Sequence, residues 1–173
     1  MANKHNEATI LYNVYLDGVK LAGTASADLP TVSALTTEVT GAGIAGAVDI
    51  PVMGLFQAMA MTLNFRTVTR DFKDLMNHQM HHIELWAAIQ VTDPDTGSYS
   101  VAQHKFITRA IPKNLTPGSF AVGSTQDRTL EYEVTYLKET YAGEELYEID
   151  KYNMIYSVGG VDLMAAAREA AGE

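Results

Sequence analysis

A chain of 173 residues with a formal net charge of −9, a sequence pI near 4.9 and no cysteine excludes several classes at once. It is long enough to bury a core without disulfide staples, it has no thiol for nucleophilic or metal chemistry, and it is too acidic for tight binding to a phosphate backbone. The acidity gathers late: residues 127–173 hold eleven acids and four bases, hence −7, which reads as a solvated face. No stretch approaches the roughly 20 apolar residues of a membrane span. Residues 1–14 contain no apolar run of the signal-peptide kind, so the expectation is a soluble protein made in a cytoplasm.

Residues 1–9 are polar and read as an arm. Residues 10–16 are rich in β-branched and aromatic side chains and predict a strand. Asp17-Gly18 predicts a hairpin turn, with a return strand over 19–24. Pro30 marks a strand edge, and 35–39 reads as a further strand. The sequence GAGIAGAV over 41–48 has little to pack and little to stiffen it, and it extends through Pro51 to Gly54. A loop of this length is usually functional or disordered. Its apolar character predicts a segment, bounded as 40–57, that orders against another copy of the chain.

Residues 58–66 alternate, with Met59, Met61, Leu63 and Phe65 on one face. Helical spacing of Phe72, Leu75, Met76 and Gln79 predicts a helix over 69–79, capped by Thr69 or Asp71. Ile83, Leu85, Ala87, Ile89 and Val91 predict a strand over 83–91, Pro94-Asp95-Thr96-Gly97 a tight turn, and 98–111 the return. Residues 112–123 read as a Pro/Gly-rich connection. Thr129 to Tyr136 alternates: Leu130, Tyr132, Val134 and Tyr136 face the core, and Thr129, Glu131, Glu133 and Thr135 face away. Residues 141–143 break the run, 146–150 resume it, and 161–171 predict a helix with Asp162 as its cap. The expected fold is mainly β with some α: one domain over 1–173, with two packed antiparallel sheets forming a sandwich or open barrel. A side helix, the long Gly/Ala-rich loop and a short C-terminal helix or arm over 161–173 complete it.

The chemistry-bearing residues are sparse. His78, His81, His82 and Glu84 offer metal-ligand atoms, but they straddle a helix end and a strand start, so no single face presents them. Glu144, Glu145, Glu148 and Asp150 lie on one strand, with Glu131 and Glu133 on its neighbour, where acids need only water. No nucleophile elbow, P-loop or dinucleotide fingerprint occurs. Trp86 reads two ways: an interface anchor on the outer face, or a second core beneath the Phe72 helix. No cofactor is expected and no enzyme activity.

One stretch is more specific. The sequence ELYEIDKYNMIYSVGGVDLM, over 145–164, resembles the C-terminal signature of the major tail tube proteins of contractile-tailed bacteriophages and R-type tailocins. The matching residues are Glu148, Ile149 and Asp150, then Asn153 and Met154, then Gly160, Val161 and Asp162. Asn13, Asp17 and Gly18 resemble the family's opening hairpin, and 41–47 its glycine-rich loop.

The resemblance implies a hexameric ring, with rings stacked helically into a hollow tube inside a contractile sheath. The tube would conduct DNA or pierce an envelope. Partners implied are other copies of the chain, the tail sheath protein, a tape measure protein in the lumen, and baseplate and tail terminator proteins at the ends, with transient non-specific passage of DNA. The implied location is the tail of a virion or tailocin particle, assembled from protein made in the bacterial host cytoplasm; a secretion-system tube stays open. Gly41, Gly43, Ile44, Gly46, Val48, Pro51 and Trp86 are then expected at contacts between subunits or rings, and Glu131, Glu133 and Thr135 toward the lumen. Two further readings remain: a ligand- or carbohydrate-binding β-sandwich that uses Trp86, and a metalloenzyme built on the histidines.

Overall fold

A computed structural model describes residues 4–21, 24–70 and 72–172. The fold is mainly β and antiparallel throughout, with two short helices. Among the described residues the strands are β1 (His5–Leu16), β2 (Val19–Lys20), β3 (Thr24–Asp28), β4 (Ala34–Val39), β5 (Val48–Phe56), β6 (Ala60–Phe65), β7 (His81–Asp93), β8 (Ser98–Thr116), β9 (Arg128–Tyr141), β10 (Glu144–Asp150), β11 (Ile155–Val158) and β12 (Val161–Asp162). Helix α1 is Phe72–Leu75 and α2 is Ala165–Ala171. Ten strands form one sheet in the order β12-β11-β10-β9-β8-β7-β1-β2, and β6, which carries β3, branches from β9. Strands β4 and β5 form a separate two-stranded sheet.

A single core joins strands that lie far apart along this path. Val14 and Leu16 of β1 share one cluster with Met61, Leu63 and Phe65 of β6, so the sheet must curl to bring them together. The Tyr141 hydroxyl of β9 donates to Asn6 Oδ1 of β1 at 2.8 Å, across the same curl. Helix α1 covers one end. Phe72 packs edge-on against Phe65 with ring centroids 5.2 Å apart, and the buried Tyr132 hydroxyl donates to the Leu75 carbonyl at 3.1 Å. Met59, Met61, Leu63 and Phe65 are all buried, as their alternation predicts.

Strand β9 departs from its predicted alternation at one residue. Val134, Thr135 and Leu137 are all buried, and Tyr136 is not on the core face. Arg109 pairs with Tyr136 and Ala110 with Val134, so Thr135 has no partner on β8 and forms a β-bulge. One inserted residue moves every later side chain to the opposite face. The bulge is fully bonded: Thr135 Oγ1 donates to the Arg109 carbonyl at 3.2 Å, Lys151 N–H to the Thr135 carbonyl at 3.0 Å, and Val134 N–H to the Met59 carbonyl at 2.8 Å. Thr135, expected toward a lumen, is 8% exposed and enclosed within the subunit.

Other boundaries move for local reasons. The segment expected as a long loop over 40–57 is largely a hairpin, because Val48, Ile50 and Val52 favour extended backbone, and Pro51 is tolerated in a two-stranded sheet that is all edge. Only 40–47, the Gly-rich tip, is irregular. The helix over 69–79 shrinks to one turn held by buried Phe72 and Leu75, and the chain must then leave toward β7. Thr69 accepts the Phe72 N–H through its backbone carbonyl; Asp71, the other candidate cap, lies outside the described residues. The return strand predicted over 19–24 is only β2; its residues 22 and 23 also lie outside the description. Strand β8 runs through Pro112 to Thr116, with Pro112 beside a second bulge, at Lys113, where a missing N–H does no harm. At the C-terminus, Val161 and Asp162 form β12 and α2 starts only at Ala165.

Candidate assembly surfaces

The outward face of the large sheet carries an ordered set of ion pairs. Lys105 Nζ lies 3.0 Å from Glu84 Oε2, Trp86 Nε1 donates to the same carboxylate at 2.7 Å, and His82 Nε2 is 2.8 Å from its other oxygen. Burial works to raise the Glu84 pKa, but the hydrogen bonds from Lys105, Trp86 and His82 outweigh it and hold the group at about 2. Trp86 therefore lies on this face, 37% exposed, with Lys105 4.3 Å above its ring and Tyr15 beside it; it is not beneath α1. Further along, Lys138 Nζ bridges Glu145 at 2.7 Å and Glu148 at 2.8 Å, and the Tyr136 hydroxyl donates to Glu148 at 3.0 Å. Hydrogen bonds to Glu145 and Glu148 raise the Lys138 pKa. Burial first, and the bond to Glu148 second, push the Tyr136 hydroxyl up to about 12.

The stretch over 145–164 proves to be turn and clasp. Asp150 accepts the N–H groups of Tyr152 and Asn153 at 3.0 Å and the Asn153 amide at 2.7 Å, which closes the turn into β11. Asp162 accepts the Met164 N–H and an Arg168 guanidinium, while Arg168 also donates to the Met154 carbonyl at 2.8 Å. Helix α2 is thereby pinned, and buried Met164 fills the space beside Gly54, where a Cβ would fall 2.2 Å from its sulfur. Asn13 pairs opposite Trp86, and Asp17-Gly18 forms the β1–β2 turn with both residues at positive φ. The Asp17 carboxylate accepts the His82 N–H at 3.0 Å.

The histidines are not gathered. His81 and His82, neighbours on β7, face opposite sides. His81 is buried, with Nε2 donating to the Asn77 carbonyl at 2.9 Å, and His82 turns to Glu84. Among the described residues no three His, Asp, Glu or Cys side chains come together as a metal site, and no helix is long and apolar enough to cross a membrane. Glu131 and Glu133 are half-buried rather than freely solvated. Lys113 Nζ lies 3.4 Å from Glu131 and 3.5 Å from Glu133, and Glu133 also accepts the Met59 N–H at 3.2 Å.

What stands out is apolar surface left uncovered. On the separate hairpin Leu35, Ile44, Val48, Ile50 and Met53 are exposed, and Gly41, Gly43 and Gly46, at its tip, adopt positive φ. The outer ends of β1, β7 and β8 run past the core, with Ile10, Leu11, Tyr99 and Val101 in solvent. Among the described residues β1 pairs with β7 and, only at Tyr15 and Leu16, with β2, so most of its other edge is open. A monomer normally covers or blunts such features.

A model of the phage tail tube protein FII family matches residues 9–172. The chain belongs to that family. As a tail tube protein it is a structural subunit of the tail of a phage or related particle, not an enzyme. No curated protein matches it. Its fold resembles chains from three solved assemblies. One is a sheath/tube terminator of an extracellular contractile injection system, PVC, in its extended state (TM-score 0.57, 16% identity, 79% of this chain and 97% of that one). Another is from the sheath-tube complex of PVC (0.55, 18%, 75% and 87%). The third is from the tube-terminating cap of the anti-feeding prophage (0.52, 19%, 75% and 87%). At these identities the likeness is one of fold. Sequence reasoning found β4 of the tail tube protein but read β5 as loop, and it missed the overhanging ends of β1 and β8. The available signal was the run of β-branched residues in 48–52 and the apolar residues at 10–11 and 99–101, outside any core period.

Proposed function

We propose that six copies of this tail tube protein close into a ring and that rings stack helically into a rigid hollow tube. The single 173-residue unit acts as one domain; residues 5–9, read from the sequence as part of an arm, belong to β1, and Arg168 holds the C-terminal helix to the subunit. The observation that carries this reading is the β4–β5 hairpin, a separate two-stranded sheet with exposed apolar residues and a fastened base. Two strands alone are only marginally stable, so a neighbouring subunit is the natural cover. Gly41, Gly43, Ile44 and Gly46 at the tip, with Val48 and Pro51 on β5, make that contact, and Trp86 contributes on the sheet face. A head-to-tail contact of this kind closes rings or extends filaments.

In the same reading a contractile sheath encloses the tube, a tape measure protein fills it, and baseplate and terminator proteins bound its ends. Glu131 and Glu133 face the lumen, their charge partly offset by Lys113. A wall without net positive charge lets DNA, or another cargo, pass without being held by counterion release. The protein is made in the bacterial host cytoplasm and functions in the particle's tail.

Electron microscopy of concentrated protein, wild type beside a variant with residues 41–47 replaced by a two-residue turn, tests this. Six-fold rings or tubes with a central channel are expected from the wild type. The variant should stay folded by circular dichroism and form none. A wild-type protein that remains monomeric at high concentration and on nucleating baseplates overturns the assembly. Tubes from the variant overturn the role of the hairpin tip.

A further inference from the structure

The connection between β8 and β9 ends in a bare apolar tip. Phe120 is 93% exposed and Val122 108% exposed, more than any other large apolar side chain described. The loop beneath them is not slack. Gln126 anchors it three ways: its Nε2 donates to the Pro117 carbonyl at 2.9 Å, its N–H to the Arg66 carbonyl at 2.7 Å, and its own carbonyl accepts the Ser119 N–H at 3.0 Å. Ser124 Oγ donates to the Ala121 carbonyl at 3.0 Å, and Thr125 Oγ1 to Asp127 at 2.6 Å. Gly118 passes so close to Gln126 that a Cβ there would sit 1.9 Å from its carbonyl oxygen. A phenylalanine held rigidly in water has already lost part of the freedom it would lose on binding.

A cavity elsewhere on the same subunit is lined from β1, β3, β7 and β8. It has a volume of about 290 Å³ and is lined by apolar Tyr12, Ala27, Leu29, Leu85 and Ala87 together with polar Thr9, Ser26 and His104. A cavity of about 150 Å³ already accepts a benzene ring, so this one has room for the Phe120 side chain and part of Val122. The Tyr12 hydroxyl in its wall is buried with no hydrogen-bond partner among the described residues. Leu29, at the end of β3, is exposed. Neither Phe120 nor Val122 lines the cavity, and both stay in solvent, so the tip does not fill the cavity of its own subunit. A knob and a separate hole on the same subunit are what a repeating head-to-tail contact requires, since each copy then offers the hole that the next copy's knob needs.

We propose that Phe120 and Val122 of one subunit insert into the Tyr12–Ala27–Leu29–Leu85–Ala87 cavity of a second copy of this chain. The contact is distinct from the β4–β5 hairpin and rests on the reading that copies stack. Both side chains lie in solvent in the subunit, so F120A/V122A keeps the wild-type circular dichroism spectrum and melting temperature. The concentration it needs for assembly, measured by sedimentation, rises at least ~10-fold. A second measurement uses the absence of native cysteine. In F120C/L29C, a short bismaleimide applied to assembled protein yields a ladder of covalent multimers, while each single variant stays monomeric.

Unchanged assembly of F120A/V122A, alongside wild-type tubes, overturns the knob and leaves the tube reading standing. Tubes of F120C/L29C without a ladder, or covalent dimers from F120C alone, overturn the cavity as its seat. A wild-type protein that forms no rings or tubes overturns both readings.

Discussion

Glu84 shows how this sheet's outward face is held. Its carboxylate is 18% exposed and bonded to Lys105, Trp86 and His82, which together overcome the burial that would raise its pKa and leave it at about 2. A carboxyl depressed on folding adds stability above its unfolded pKa, near 4.5, and that stability is lost as pH falls from there toward 2. Glu84→Gln should therefore melt ~3 °C below the wild type at pH 7. The gap should close progressively between pH ~4.5 and ~2, as the wild-type carboxyl becomes protonated. Melting curves of both proteins across that range check this; a gap that stays constant to pH 2 would mean the charge of Glu84 contributes nothing. The effect is modest because the network is partly solvated.

At the scale of an element, the Thr135 bulge decides which way half of β9 faces. Thr135→Val keeps the volume and backbone but removes the hydroxyl that donates to the Arg109 carbonyl, at a cost of about 1 kcal/mol in denaturant unfolding. Deleting Thr135 is a different change: it removes the bulge and leaves Val134 and Tyr136 opposite Ala110 and Arg109 in plain register, so Leu137 stays in the core and a cooperative transition should be retained. Loss of a cooperative transition by the deletion would mean that β9 cannot pair without its bulge. This bulge also marks the limit of what the sequence made legible. Alternation located the cores of β6, β7 and the first half of β9, because a half-buried strand imposes a period of two on residues such as Met61, Leu63 and Leu130. A bulge leaves no such trace, since the extra residue is defined by the partner strand. Composition likewise hid β5: the glycines at the tip and Pro51 outweighed Val48, Ile50 and Val52, although its partner β4 was legible at 35–39. The signature over 145–164 was legible as identity, while its physical role emerged only with the Asp150 turn and the Asp162–Arg168 clasp.

For the whole molecule, charge and open edges act together. Each subunit carries −9, and stacking copies brings those charges close. Assembly should therefore ease as salt rises from ~10 mM to ~300 mM, where the screening length shortens from about 30 Å to below 8 Å. Sedimentation at fixed protein concentration measures this. Tubes that dissolve as salt rises would show instead that opposite charges between subunits hold them. The open edge of β1 has a consequence in time as well as in space. Strand β1 is made before its partner β7, which begins only at His81. At 5–20 residues per second, β1 waits roughly 3–13 s for its partner to be synthesised, and pairing across so large a sequence separation is intrinsically slow. During that interval Ile10 and Leu11 are exposed and both edges of the strand are free. The same strand that leaves an edge for assembly is thus the segment most open to capture by chaperones, or by the wrong neighbour, while the chain is still being made.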